Sequence, residues 1–187
     1  MSSSRRAAEF EVKVYLDRAE EEGILNRLVS LGFVVEGGVC EEDHYFDMRG
    51  CPGYRDGSVL RFRKVVSGSS IEYRLTYKGL IPSEGVKARD EIEVPLQSED
   101  VLTALKMVGL RTVVIRKRRT YLSGMGLKLS LDFVECLGTY LEFEELNPSS
   151  AEEFLSKVRS VLKLLGLEGR ELITKSYLEM YLERGCP

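Results

Sequence analysis

Residues 7–16 alternate in character: Phe10, Val12 and Val14 are apolar, and Glu9, Glu11 and Lys13 between them are charged. Successive side chains of a strand point to opposite faces, so this period of two predicts a strand with one apolar and one charged face. The period then changes. In DRAEEEGILNRLVSLGF, the residues Ile24, Leu25, Leu28, Val29 and Leu31 fall at helical spacing, with Asp17 as N-cap and Gly32 as the stop. Residues 34–47 read as extended and MRGCPGYRDG as a turn-rich loop. SVLRFRKVV and SIEYRLTYKG, separated by SGS, read as a hairpin, and ARDEIEVPL as a further strand. SEDVLTALKMVGL predicts a helix capped by Ser98, with Glu99 and Asp100 in its first turn and Gly109 at its end. RTVVIRKRRTYL and LKLSLDFVECL flank SGMG as a second hairpin, and TYLEFEEL is the last strand. NPSSAEEFLSKVRSVLKLLGL and ELITKSYLEMYLER close the chain as helices. About eight strands, mostly sequential and antiparallel, with about four inserted helices, give an α+β class in one domain spanning 1–187.

The same parity recurs along the strands. Arg61 and Arg63 share a face, as do Arg74, Thr76 and Lys78, and Arg89, Glu91 and Glu93. Lys117, Arg119 and Tyr121 align, as do Lys128, Ser130 and Asp132, and Glu142 and Glu144. For one strand, a charged face is ordinary solvent exposure. Repeated over strand after strand, with Arg prominent, it suggests planar contact to phosphate or carboxylate. Eight strands can close into a barrel. With the charged faces inward, the interior becomes a polar tunnel and the apolar faces pack outward against helices. Buried charges must be paired or ligated, so the tunnel calls for salt bridges, an anion and a metal. Glu9 and Glu11 on the first strand and Glu142 and Glu144 on the last supply carboxylates that suit Mg²⁺ or Mn²⁺. Arg61, Arg63, Lys78, Lys117 and Arg119 suit a polyphosphate, gripped by side chains because the chain has no GxxxxGK[ST] loop.

Composition narrows the partners. Lys+Arg 27 against Asp+Glu 30 gives a net charge of -3, unlike the basic excess of a general nucleic-acid binder. Within RKRR, Lys117 and Arg119 face inward and Arg116 and Arg118 face solvent, so nucleic acid is not an expected partner. No apolar run approaches a membrane span, and the N-terminus has no apolar signal region, which predicts a cytoplasmic protein with no membrane partner. The four cysteines form no CxxC and the one histidine is His44, so reduced thiols are expected rather than a zinc site. His44 reads as a strand residue near the tunnel mouth. One Gln, two Asn and many Glu, Lys, Arg and Leu lean towards a thermophile.

The ordered set of motifs resembles the CYTH superfamily, the triphosphate tunnel metalloenzymes. EFEVK is similar to that family's ExExK strand, and EDHYFDMRGCPGYRDGSVLRFRK resembles the class IV adenylyl cyclase version of the family's second and third strands. LTYKG, ARDEIEV, RKRRTYL, LDFVECLGTYLEFE and KSYLEMYL follow in the family's order. The resemblance implies an eight-stranded antiparallel tunnel, a divalent metal and a small-molecule triphosphate. It implies Glu9, Glu11, Glu142 and Glu144 as metal ligands, with Asp132 matching the family's acid in the strand before the last. Lys13, Arg61, Arg63, Lys78, Arg89, Lys117 and Arg119 become the phosphate grip. Glu91 and Glu93 become wall carboxylates that orient the basic residues or bind a second metal. Lys13 is the candidate to act as a base or orient the nucleophile. Tyr177 and Leu178 pack the terminal helix near one tunnel end, and the cyclase branch implies a homodimer. Two chemistries follow: hydrolysis of inorganic, thiamine or nucleoside triphosphate, which is slightly preferred, or conversion of ATP to cyclic AMP and pyrophosphate. The alternative is a binding module that holds polyphosphate or a nucleotide without turnover.

Overall fold

The computed structural model describes residues 7–81 and 87–187, and the side chains of residues 7, 8, 80, 81 and 87–89 lie outside that description. The strands are β1 (Ala7–Leu16), β2 (Val34–Phe46), β3 (Val59–Ser67), β4 (Ser70–Ile81), β5 (Lys87–Leu96), β6 (Thr112–Gly124), β7 (Leu127–Val134) and β8 (Gly138–Leu146). They form a closed barrel in the order β1-β5-β4-β3-β2-β6-β7-β8, with every pairing antiparallel. The first and last strands pair in a direct ladder, from Glu9↔Leu146 to Leu16↔Thr139. The other edge of β1 pairs with β5, from Ala7↔Glu91 to Glu11↔Lys87, and so closes the wall.

Helices fix which parity faces inward. The helices are α1 (Glu21–Ser30), α2 (Asp100–Met107), α3 (Ala151–Leu165) and α4 (Tyr177–Arg184). Ser150 accepts a hydrogen bond from the backbone N–H of Glu153 and caps α3, and Gly166 ends it with φ 73°. Phe154, Val158, Val161, Leu162 and Leu165 form the buried stripe of α3. With Ile24 and Leu28 of α1, this stripe covers Val12, Val14 and Leu16 of β1, Leu129 and Leu131 of β7, and Leu141 and Phe143 of β8. Burying each such side chain stabilises by roughly 1.5–3 kcal/mol. A register slip of one residue would expose the whole set, so the interleaved charges have only the barrel interior left. Leu102 of α2 packs against Phe46 and Phe62 on another outer face.

Three expectations need correction. ELITKSYLEMYLER is not helical throughout. Ile173 pairs with Lys13 of β1 through two backbone hydrogen bonds, at 3.0 and 2.8 Å, which holds that stretch extended. Helix α4 starts only at Tyr177, where Ser176 and Glu179 form a capping box. Glu99, not Ser98, occupies the cap position of α2, although the Ser98 hydroxyl still accepts from the Asp100 N–H at 3.3 Å and donates to the Asp100 carboxylate at 2.7 Å. Finally, Cys136 and Cys186 are not free thiols. The packing of α4 beside the β7–β8 turn brings their Cα atoms to 6.2 Å, and they form a disulfide. Cys40 and Cys51 are free and exposed.

The disulfide links residues 50 apart in sequence, so it restricts the unfolded chain over a long loop. Cys186→Ser, or added reductant, is expected to lower the unfolding free energy by about 2–4 kcal/mol. Urea denaturation with and without reductant measures this, and an unchanged midpoint would mean that the bridge contributes nothing in solution. Among the described residues no helix is long and apolar enough to cross a membrane.

Candidate active site

The inward faces enclose a cavity of about 380 Å³ that runs along the barrel. Its lining includes Glu9, Glu11 and Lys13 from β1, Arg61 and Arg63 from β3, Lys78 from β4, Lys117 and Arg119 from β6, and Glu142 and Glu144 from β8. The structure thus brings together the basic and acidic residues that the alternating strands single out. Glu91 and Glu93 also line it, whereas Asp132 is fully buried and does not line it. The side chain of Arg89, expected in the phosphate grip, lies outside the described residues.

Charges in the wall are neutralised in a specific pattern. Arg63 donates to Asp43 through Nε at 2.6 Å and Nη2 at 2.7 Å, in the bidentate geometry that makes such pairs strong. Asp43 is 1% exposed. Burial pushes its carboxyl up, but Arg63, Lys117 and Arg61 together hold it well below the usual range. Glu41 Oε2 lies 3.0 Å from both Arg63 Nη1 and Lys117 Nζ, yet accepts no hydrogen bond from either. These cations neutralise it by proximity. On Lys117, burial and then the neighbouring Arg119 and Arg63 act to lower the pKa, outweighing Glu41 and Asp43. Arg61 is 8% exposed and its Nε has no hydrogen-bond acceptor among the described residues. An unsatisfied buried donor on a cation is costly, and here it belongs to a side chain that lines the cavity.

The sequence reading missed Glu41 and Asp43. Their signal was present, since Glu41, Asp43 and Tyr45 sit two apart on β2, but the segment had been read only as extended. His44 has the opposite parity. It lies on the outer face of β2, 2.9 Å from Glu42 and edge-on to Phe62. Asp132 is held by protein donors. It accepts from Arg119 Nε at 2.7 Å, from Arg119 Nη2, and from the Tyr177 hydroxyl at 2.8 Å, so both oxygens are engaged.

The acidic wall is less evenly matched. Lys78 Nζ bridges Glu9 at 2.8 Å and Glu91 at 2.9 Å. Glu93 accepts from Arg74 at 3.1 Å and from Thr76 at 3.3 Å. Arg119 donates to Glu142 at 2.9 Å, and Lys13 lies 3.5 Å from Glu142 and 3.8 Å from Glu11. Burial would raise the Glu142 carboxyl, but Arg119, Lys13 and Lys117 bring it to about 2. Glu144, opposite Glu11 across the β1–β8 seam, has no ion pair within 4.0 Å among the described residues. Burial, then repulsion from Glu9 and Glu142, pushes it up to about 7. Glu9 is also raised, by burial first, against the pull of Lys78.

Excess carboxylate of this kind is what a hard cation relieves, and oxygen donors alone suit Mg²⁺ or Mn²⁺. The donor set therefore fits a divalent metal. It is not preassembled: among the described residues no three His, Cys, Asp or Glu side chains are already grouped so as to hold an ion.

Comparison with known proteins places this geometry in context. The sequence model of the CYTH domain matches residues 7–177. A Methanocaldococcus jannaschii protein named "Putative adenylate cyclase MJ0240" is 30% identical over 176 residues, which is 92% of this chain and 97% of that one. The structure of PH1012 from Pyrococcus horikoshii superposes with a TM-score of 0.76 at 26% identity, covering 91% of this chain and 98% of that one. A Hippeastrum protein described as an adenylyl cyclase homologue with a dominant triphosphatase activity shares the fold, with a TM-score of 0.64 at 18% identity, covering 95% of each chain.

Proposed function

The chain belongs to the CYTH domain family, and from that premise we propose that it is a divalent-metal-dependent enzyme acting on a triphosphate, with hydrolysis as the favoured reaction. The observation that carries this reading is the buried basic row of the cavity, including an Arg61 Nε with no acceptor among the described residues, together with Glu144, which has no ion pair within 4.0 Å among them. A metal-bound polyphosphate supplies both charges that such a wall lacks.

In this reading Arg61, Arg63, Lys117 and Arg119 bind phosphate oxygens. Asp43, Glu41 and Asp132 orient these cations, and Glu91 and Glu93 do the same for Lys78 and Arg74. Glu9, Glu11, Glu142 and Glu144 would hold Mg²⁺ or Mn²⁺, which when bound neutralises phosphate charge and aligns the phosphoryl group. Water attacks a phosphorus, the bridging P–O bond breaks, the leaving phosphate takes the electron pair, and the proton lost by the water passes to the leaving phosphate or to solvent. The basic row stabilises that developing charge. Lys13 is held by the Lys175 carbonyl at 3.1 Å and by Glu142 and Glu11, so its position is fixed to orient the nucleophile. Hydrolysis asks least of the wall, because it needs neither a base pocket nor a fixed ribose.

A second reading, cyclisation of ATP, draws support from the name of the M. jannaschii relative. One experiment separates them. The protein is incubated with Mg²⁺ or Mn²⁺ and, in turn, inorganic triphosphate, thiamine triphosphate and ATP. Phosphate release is expected. Pyrophosphate with cyclic AMP would favour the cyclase. Tight binding with intact ligand would make the chain a binding module, and no turnover of any triphosphate would sink the enzyme reading.

A further inference from the structure

The C-terminal segment reaches into the tunnel. Ser176 and Tyr177 line the cavity, and Tyr177 is 5% exposed. Its ring centroid lies 5.2 Å from Lys13 Nζ and 5.3 Å from Lys117 Nζ, so one aromatic ring serves two ammonium groups from different strands. Its hydroxyl donates to Asp132, the residue that grips Arg119 with both oxygens. One side chain therefore touches, directly or through one carboxylate, three of the cations assigned to the substrate.

A bulky apolar residue would fill the same space, but it would not attract ammonium groups. The electron-rich ring face does, and most strongly where water is excluded. Lys13 and Lys117 repel each other, and both are almost wholly buried. The ring offsets that repulsion without adding an anion that would compete with phosphate. The segment is also anchored for such a task. Ile173 pairs with Lys13, Arg184 donates to the Leu137 carbonyl at 3.1 Å, and Cys186 is tied to Cys136.

We infer that Tyr177 is a positioning residue: its ring holds the ammonium groups of Lys13 and Lys117, and its hydroxyl, through Asp132, holds the guanidinium of Arg119, so that all three face the substrate. The role rests on the triphosphate reading above.

The test compares Tyr177→Leu, Tyr177→Phe and Tyr181→Leu. Tyr181 is buried in the same helix and donates to the Pro187 carbonyl, away from the lysines, so its variant reports loosening of α4 alone. Three measurements are made: NMR of the lysine ε-methylene groups, calorimetric binding of inorganic triphosphate without metal, and kcat and KM with Mg²⁺. In the wild type the Lys13 and Lys117 ε-methylene signals are shifted upfield by the ring. Tyr177→Leu is expected to abolish that shift and weaken triphosphate binding about tenfold, the change in affinity for losing two desolvated cation–π contacts. Tyr177→Phe keeps the ring, and is expected to keep the shift and to bind within about threefold of wild type. Tyr181→Leu should lower the melting temperature and leave binding unchanged. Wild-type affinity in Tyr177→Leu, or equal weakening in Tyr181→Leu, overturns the inference. If the wild type binds triphosphate but does not turn it over, the enzyme reading fails and the positioning role is judged on binding alone. If the wild type binds no triphosphate, both fall, and the NMR shift shows separately whether the ring meets the lysines.

Discussion

Glu144→Gln is expected to abolish metal-dependent turnover and, at neutral pH, to make the protein harder to unfold. The two effects have opposite sign for one reason. Glu144 has no ion pair within 4.0 Å among the described residues, and burial with repulsion from Glu9 and Glu142 outweighs the pull of Lys78 and Arg119 and raises its carboxyl to about 7. A carboxyl whose folded pKa lies above its unfolded value favours the folded state when protonated. Its stabilising contribution is complete below about pH 4.5 and is lost as pH rises through about 7. Integrated over that window, the loss is on the order of 3 kcal/mol. The Gln variant, which cannot ionise, does not suffer it. Its unfolding free energy at pH about 8 should therefore exceed that of the wild type, with the difference vanishing at acid pH. Turnover should fall by about a hundredfold or more, since a removed metal ligand costs at least as much as the outer partners that merely orient one. The same titration predicts how metal affinity varies with pH. Below about 7 an arriving ion must displace the Glu144 proton, so apparent affinity falls by about tenfold per pH unit as the solution becomes more acid. Urea denaturation and Mg²⁺ titration, each run across pH about 6 to 8, test both halves. Full activity in Glu144→Gln would remove Glu144 from the metal site, and a loss of stability at pH about 8 would show that its charge is compensated after all.

How far the site was legible in the sequence follows from the range of each interaction. The parity of Glu9, Glu11 and Lys13, or of Arg61 and Arg63, is a local property of a strand, so period alone put these residues on one face. What turned that face inward was also legible, because Val12, Val14 and Leu16 needed the cover that the stripe of α3 provides. The partners were not. Lys78 meets Glu9 across a barrel order in which β5 lies between β4 and β1, and no local pattern encodes that order. Cys136 and Cys186 meet only because the last helix returns to the β7–β8 turn. Tyr177 was expected to pack the terminal helix near one tunnel end, but its contacts with two lysines belong to the tertiary fold. Glu41 and Asp43 were missed for a different reason. Salt bridges inside the tunnel were expected, but β2 was read only as extended, so the acids that a wall standing without substrate needs were not sought there.

That last point leads to the other large effect: Asp43→Asn should destabilise the ligand-free protein and increase its stabilisation by triphosphate. Asp43 takes two hydrogen bonds from Arg63, and lies 3.5 Å from Lys117 and 3.9 Å from Arg61. With Asn in its place, Glu41 alone faces these cations. Breaking one member out of a buried charge network costs about 3–5 kcal/mol. The sign of the pH dependence agrees: burial opposes ionisation of Asp43, but its cations hold the folded pKa well below the unfolded value. Its stabilisation is thus present above about pH 4 and lost as pH falls, and the Asn variant should lack that acid-side slope. The uncompensated cations attract an anion more strongly than before. A ligand that binds only the folded state raises stability in proportion to the logarithm of its concentration over Kd, so each tenfold gain in affinity adds about 1.4 kcal/mol. Denaturation with and without inorganic triphosphate, in the absence of metal, should therefore show a lower baseline and a larger ligand-induced increase for Asp43→Asn than for the wild type. Sulfate at equal ionic strength serves as the control for screening. If the ligand-induced increase is equal or smaller, Asp43 is needed to aim Arg63 at the phosphates, and its charge is not a stand-in for the substrate. If it is larger, the acids on β2 act as the tunnel's own counter-ions. They keep the empty barrel folded at some cost in affinity, which leaves the phosphate grip loose enough to release product.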